Sequence, residues 1–174
     1  MTIKKQMNLD YADGALLAFK AAAERAKVDW CLYAGTCLGL FRDGRFLPDD
    51  NDIDVAVRAT AEQVETLWKS LDRLGFKLGK FCENVDGSRN RHVYFHPKIM
   101  RPEEGGLLVD VFYHFSEEEE NLLRWFDAIW YRERFWFIPH PTEEYLQAAY
   151  GEWWDKTRRN AAAGKEDVQS CSPG

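Results

Sequence analysis

Residues 52–57 read Asp-Ile-Asp-Val-Ala-Val, and this alternation of carboxylates with apolar side chains constrains the fold more than any other feature of the chain. Successive side chains of a β-strand point to opposite faces. Asp52 and Asp54 are therefore predicted to share one face, which stays open, while the branched apolar residues pack into a core. The wider stretch, residues 33–57, holds more polar chemistry than a fold needs in one place. We interpret it as an active site.

The segment before this strand predicts a tight turn followed by the beginning of a helix. Residues 30–33 are apolar and aromatic and run into Ala34-Gly35, which is typical of a buried strand that ends in a turn. Thr36 is predicted to cap a short helix that extends to Phe41 or Arg42. The positive end of this helix would favour an anion, and Arg42 is a candidate to bind a phosphate beside it.

A further carboxylate stands inside a later apolar run, residues 107–113, at Asp110. A buried aspartate needs a cation or a hydrogen-bond network. Placing Asp52, Asp54 and Asp110 on neighbouring strands would gather carboxylates that repel by roughly 4 kcal/mol per pair at ~4 Å and an effective dielectric of about 20. Oxygen ligands favour Mg²⁺ or Mn²⁺ over zinc. The sequence therefore predicts a divalent-metal site suited to phosphoryl or nucleotidyl transfer.

Two other interpretations of the acidic run explain less. Aspartates at alternate positions are also typical of an EF-hand calcium loop, but its sixth position would hold Val55 instead of Gly and its twelfth Ala61 instead of Glu. A merely solvated turn before a strand would not explain Asp110 inside an apolar run.

The rest of the chain alternates helical and strand patterns, which indicates an α+β fold. Apolar spacing predicts a helix over residues 9–27, capped by Asp10 or Asp13, and a helix from the capping box at residues 60–63 to Gly75. A third helix is predicted over residues 143–150. Short strands are predicted at residues 76–78, 81–85 and 92–96, with further strand structure in the second half of residues 125–138.

Composition limits the classes of function. A chain of 174 residues fits one domain, predicted over residues 1–159 with a flexible tail at 160–174. The net charge of −6 gives no general reason to bind nucleic acid. Scattered cysteines, no apolar run of membrane-spanning length and no signal-peptide pattern predict a cytoplasmic protein without a membrane span.

The motifs of the central stretch resemble those of the LicD/fukutin family. Residues 35–39 (G-T-C-L-G), Arg42 and residues 46–54 (F-L-P-D-D-N-D-I-D) are similar to the family pattern G-T-L-L-G, Arg and I-P-W-D-D-D-I-D. The strand around Asp110 and the segment Y-G-E-W at 150–153 resemble later family motifs. Here Asn replaces the middle aspartate of the acidic motif and Asp replaces its tryptophan.

This resemblance implies a nucleotidyltransferase-like fold, a small mixed β-sheet flanked by helices. It implies that Asp52, Asp54 and Asp110 hold Mg²⁺ (or Mn²⁺) and act in catalysis, and that Gly35 and Thr36 bind phosphate. Arg42 would lie beside that phosphate, and Asp50 is assigned to the approach of the substrate. Whether Asp110 is a metal ligand, a general base or both stays open.

The function expected from these features is transfer of a phospho-alcohol, such as phosphocholine, or of a nucleotidyl group. The donor would be nucleotide-linked, a CDP-alcohol or an NTP, and the acceptor would carry a hydroxyl group, for example on a glycan. The alternative is a catalytically silent nucleotide-binding or regulatory protein on the same fold, because fold alone does not guarantee chemistry.

Overall fold

The structure, a computed structural model, describes residues 9–48, 50–83, 89–95, 107–113, 121 and 124–156. The helices in these ranges are α1 (Leu9–Ala26), α2 (Ala34–Asp43), α3 (Ala61–Arg73) and α4 (Thr142–Tyr150). The strands are β1 (Asp29–Leu32), β2 (Asp52–Arg58), β3 (Phe76–Glu83), β4 (Arg89–Phe95), β5 (Leu108–Tyr113), β6 (Phe126–Tyr131) and β7 (Arg134–Pro139). The predicted tail at 160–174 lies outside the described residues.

Five strands form a mixed sheet in the order β1-β2-β5-β4-β3. The strands β2 and β5 are parallel, while the other three pairs are antiparallel. The predicted α+β class with a small mixed sheet is therefore confirmed. The strand β3 is continuous where the sequence predicts two short strands, because a register irregularity between Leu78 and Phe81 absorbs the break. Residues 84–85 and 96 of the predicted strands lie outside the described residues.

The apolar face of β2 packs into the main core, as predicted. Ile53, Val55 and Val57 are almost fully buried, in one cluster with Phe19 of α1 and Leu67 of α3. The two helices also contact each other. Burial of these side chains stabilises the fold by about 1.5–3 kcal/mol each relative to exposure, so this cluster holds β2 firmly in the sheet.

The opposite face of β2 is covered as well, which corrects the expectation that the acidic face stays open. Asp54 is only 7% exposed, and Ala56 is buried against Cys31 of β1. Tyr33 and Phe126 pack against this pair. The residues that cover this face belong to the segment before α2 and to the β6–β7 hairpin. Because these residues come from other elements, the two-residue alternation of β2 does not indicate them.

The strands β6 and β7 form a separate two-stranded antiparallel sheet. Its turn residues Arg132 and Glu133 have φ angles of 49° and 62°, the left-handed values typical of a tight hairpin turn. The sequence predicted strand structure only in the second half of this region. The following helix, α4, is confirmed and ends before Gly151, whose φ is 67°.

The helix ends show where side-chain caps were correctly predicted and where they were not. The capping box of α3 is present, with Thr60 Oγ1 accepting from Gln63 N–H and Gln63 Oε1 accepting from Thr60 N–H. The prediction of Asp10 or Asp13 as the cap of α1 is wrong, because both lie inside the helix. Asp13 instead accepts a hydrogen bond from the Tyr131 hydroxyl at 3.0 Å.

No helix within the described ranges is long and apolar enough to cross a membrane.

Candidate metal and active site

The site begins where β1 passes into α2. Tyr33 N–H donates to the carbonyl oxygen of Asp54 at 3.0 Å, which holds the end of β1 against β2. Tyr33 occupies the N-cap position, and the helix begins at Ala34. The prediction of Thr36 as the cap is therefore wrong, since Thr36 is the third helical residue. Its side chain bonds to β2 instead.

Thr36 and Asp54 are joined by two reciprocal hydrogen bonds. Thr36 N–H donates to Asp54 Oδ2 at 3.2 Å, and Asp54 N–H donates to Thr36 Oγ1 at 2.9 Å. Both residues are buried. The first turn of α2 thus stabilises a carboxylate of the protein itself, which agrees with the general preference of a helix N-terminus for negative charge. This contact fixes the position and rotamer of Asp54.

Gly35 lies directly against two carboxylates. A Cβ atom at this position would lie 2.6 Å from Asp50 Oδ2 and 3.2 Å from Asp54 Oδ2. The first distance is shorter than any ordinary contact between carbon and oxygen. A larger residue at position 35 would therefore force the Asp50 carboxylate to move away from the backbone of α2.

Three aspartates form a compact acidic group. Carboxylate oxygens of Asp50, Asp52 and Asp54 lie within 4.8 Å of one another. At that separation and an effective dielectric of about 20, each ionised pair repels by roughly 3 kcal/mol. Oxygen ligands in this arrangement fit a hard divalent cation such as Mg²⁺. The structure thus adds Asp50, which the sequence assigned to the substrate approach, to the candidate ligands.

Asp110 lies next to this group in the sheet. The parallel register of β2 and β5 places Asp110 directly opposite Asp54, and Asp110 is 7% exposed. The antiparallel register places His92 of β4 opposite Asp110 on its other side. The predicted neighbourhood of the two strands is therefore observed, although the compact group itself contains Asp50 instead of Asp110.

The electrostatics of Asp54 reflect this crowding. Burial raises the pKa of the Asp54 carboxyl well above its ordinary value, and the charges of Asp52, Asp50 and Asp110 raise it further. The hydrogen bond from Thr36 N–H lowers this pKa and only partly offsets the other effects. The site therefore has an excess of negative charge, which a bound cation would neutralise.

Arg42 is not brought to the acidic group. It lies in the last turn of α2, seven residues beyond Gly35, which corresponds to about 10 Å of helix rise. Its Nη2 pairs with Asp43 at 2.9 Å and its Nη1 donates to Trp153 O at 3.2 Å. The hydrogen bond with Arg42 is the main cause that lowers the pKa of Asp43. A phosphate-binding role of Arg42 stays a prediction.

The sequence did not indicate the role of Tyr145. This residue of α4 is 5% exposed, and its hydroxyl accepts a hydrogen bond from Ala34 N–H at 2.9 Å. Ala34 has a φ of 40°, a left-handed value that costs energy for a residue with a Cβ atom. Tyr145 thus caps α2 from a distant element and supports its strained first residue.

The small mixed sheet carries an Asp-x-Asp strand, and Asp54 of this strand accepts a hydrogen bond from the first turn of α2, which agrees with the predicted nucleotidyltransferase-like fold. The family model "LicD/FKTN/FKRP, nucleotidyltransferase domain" matches residues 27–148. The chain therefore belongs to this family of transferases, which confirms the resemblance in the sequence.

Other comparisons add little to this assignment. A search of curated proteins finds no match. Among solved structures, one described as the structural basis for the activity of a cytoplasmic RNA terminal U-transferase is similar, with a TM-score of 0.36 and 12% identity. The similarity covers 62% of this chain and 30% of that one.

Proposed function

We propose that this protein is a Mg²⁺-dependent transferase that moves a phospho-alcohol from a CDP-linked donor to a hydroxyl acceptor. The observation that carries the proposal is the compact group of Asp50, Asp52 and Asp54 beside the buried Asp110. Membership of the LicD/FKTN/FKRP family supports the transferase class. The family resemblance favours phosphocholine or ribitol phosphate as the transferred group and a glycan as one possible acceptor.

The acidic group would hold the metal. Asp54 is fixed by Thr36, and Asp52 and Asp50 lie within 4.8 Å of it at the more exposed side. A bound Mg²⁺ would neutralise donor phosphates and the charge that develops during transfer. The carboxylates therefore position the donor, and Gly35 allows them to lie close to the first turn of α2.

Asp110 is the residue we assign as general base. It lies beside Asp54 but outside the compact group, and in this proposal its carboxylate accepts the proton of the attacking hydroxyl. The step then forms a bond between the acceptor oxygen and phosphorus, and the bond from phosphorus to the leaving CMP oxygen breaks. The proton of the acceptor hydroxyl passes to Asp110.

A nucleotide screen tests this proposal. The full chain would be incubated with CDP-choline, CDP-ribitol or NTPs and hydroxyl acceptors, with Mg²⁺ or EDTA, and products would be identified by mass spectrometry. We expect CMP release and a transferred phospho-alcohol only with Mg²⁺. Pyrophosphate release from an NTP would instead indicate nucleotidyl transfer. Metal-dependent binding of nucleotides without any product would refute catalysis and indicate a silent nucleotide-binding protein.

Two variants separate the roles of the aspartates. Asp54→Asn should abolish both Mg²⁺ binding and turnover, because it removes the central buried ligand. Asp110→Asn should retain Mg²⁺ binding by calorimetry but reduce turnover by about 10²–10⁴-fold, the usual contribution of a general base. Loss of Mg²⁺ binding in Asp110→Asn would show that Asp110 is a ligand and contradict its assignment as base.

A further inference from the structure

The β6–β7 hairpin presents one face to the core and the other face outward. Trp136 and Ile138 point into the core and are at most 3% exposed. The strand pairing and the alternation of side chains place a second set of residues on the opposite face, and all of them are apolar. They are Phe126, Ala128, Trp130, Phe135, Phe137 and Pro139. We call these six residues the aromatic face.

The large side chains of the aromatic face are exposed and contact one another. Trp130, Phe135 and Phe137 are 62%, 63% and 52% exposed. The ring centroids of Trp130 and Phe135 lie 4.7 Å apart, edge to face, and those of Phe137 and Phe126 lie 5.9 Å apart. The face is therefore a continuous apolar surface of packed rings, and a surface of this kind is often a binding site.

The exposed area matches the apolar part of a protein interface. With about 200 Å² for each aromatic side chain, the exposed fractions of Trp130, Phe135 and Phe137 amount to roughly 350 Å². Trp125 directly precedes β6 and is 68% exposed, which raises the exposed aromatic area to roughly 500 Å². A stable interface buries about 800 Å² on each partner, and about 65% of that area is apolar in homodimers. The apolar share of a homodimer interface is thus also roughly 500 Å².

The chemistry of the aromatic face favours a second copy of the chain as its occupant. Interfaces between different proteins are only about 57% apolar, and their charged groups help to select the partner. The six side chains of the aromatic face carry no charge, and their one hydrogen-bond donor is the indole N–H of Trp130. A two-fold symmetric dimer places the same patch of both copies in contact. A face without charges meets this condition because no like charges are brought together.

We propose that two copies of the chain associate through their aromatic faces into a two-fold symmetric dimer. The two hairpin sheets would pack face to face about 10 Å apart, which is the usual spacing of stacked sheets. The inference uses only the hairpin and the chemistry of its surface, so it stands or falls independently of the transferase activity.

Sedimentation equilibrium of the full chain tests the proposal without metal, donor or acceptor. We expect a monomer–dimer equilibrium whose dissociation constant falls as NaCl is raised, because salt screens the repulsion between two chains of net charge −6. The double variant Trp130→Ser with Phe135→Ser should raise this constant at least about a hundredfold, since each lost aromatic occurs twice in the symmetric interface. Trp154→Ser is the matched control, because Trp154 is 55% exposed but lies outside the hairpin.

Ala128→Glu is a second test that leaves every aromatic side chain in place. Ala128 is exposed and pairs with Phe137 in the middle row of the aromatic face. The substitution would put a carboxylate of each copy into the apolar interface, so the dissociation constant should again rise at least about a hundredfold. Ala61→Glu adds the same charge at the exposed first residue of α3 and should leave the dissociation constant nearly unchanged.

Circular dichroism and thermal melts establish that each variant is folded before its association is compared. A wild type that stays monomeric up to about 1 mM would overturn the proposal. So would hairpin variants that dimerise as tightly as the wild type, because another surface would then form the dimer. A dimer that weakens as salt is raised would also overturn it, because association would then depend on ion pairs instead of the aromatic face.

Discussion

Asp54→Asn should stabilise the metal-free protein while it removes the response to Mg²⁺. Asparagine has the shape of aspartate, and its side-chain oxygen can still accept the hydrogen bond from Thr36 N–H. What the substitution removes is a buried negative charge beside those of Asp50 and Asp52. Stability and metal binding should therefore change in opposite directions, which ordinary damage to the fold would not produce.

The magnitude follows from the geometry of the acidic group. The carboxylate oxygens lie within 4.8 Å of one another, and at that upper limit one ionised pair repels by roughly 3 kcal/mol at an effective dielectric of about 20. Asp50 and Asp52 are only partly buried, so solvent screens part of this repulsion, and protonation of Asp54 relieves another part. A net gain of about 1–2 kcal/mol remains, which corresponds to a rise in Tm of about 4 °C for a domain of this size.

Thermal unfolding by circular dichroism checks this prediction, first in EDTA at mildly alkaline pH and then across a Mg²⁺ titration. The wild type should gain Tm with Mg²⁺, and Asp54→Asn should begin higher in EDTA and gain nothing. Asp29→Asn is the control, because Asp29 forms an exposed ion pair with Arg58 that contributes little to stability. An unchanged or lower Tm of Asp54→Asn in EDTA would refute the argument from charge repulsion, and a retained Mg²⁺ response would refute the assigned ligand.

Three further predictions concern the same site. The pKa of Asp54 is raised in the folded state, so above the ordinary aspartate pKa the folded protein keeps a proton that the unfolded chain has lost. The stability of the metal-free protein should therefore fall as pH rises above the ordinary aspartate pKa. This decrease should be absent from the Tm profile of Asp54→Asn. Gly35→Ala should push the nearest carboxylate aside and weaken Mg²⁺ binding in calorimetry by about tenfold. Gly14→Ala is the control, because no atom lies within 4 Å of the added Cβ. It should leave the Mg²⁺ affinity unchanged and raise the stability of the protein by up to about 1 kcal/mol. Tyr145→Phe should lower the free energy of unfolding, measured with urea, by about 1–2 kcal/mol, because it leaves Ala34 N–H without its partner. An unchanged free energy of unfolding would contradict the capping role of Tyr145.

The predictions that succeeded from sequence rest on interactions between residues close in the chain. The capping box of Thr60 and Gln63 needs only four consecutive residues, and it is present in the structure. The alternation in β2 likewise predicts which side chains share a face. Asp110 could be recognised as unusual because a lone carboxylate in an apolar strand breaks a local pattern.

The parts of the site that sequence reasoning missed depend on contacts between distant segments. At the beginning of α2, Ala34 N–H donates to the hydroxyl of Tyr145, which lies 111 residues away in the sequence. The covered acidic face depends on Phe126 of the hairpin. Asp50 joins the compact group through the path of the loop before β2, which places its carboxylate against Gly35.

The sequence by itself determined most of the strands and helices, although not β6, and it determined that carboxylates on β2 and β5 need compensation for their charge. Only the tertiary structure decided which carboxylates meet, how Asp54 is held and which aromatic side chains stay exposed. The physical reason is that the periodicity of side chains indicates only which residues of an element face the core and which face the solvent. The distance between two charged groups depends on how whole elements pack, and that packing is set by long-range contacts such as the one between Tyr145 and Ala34.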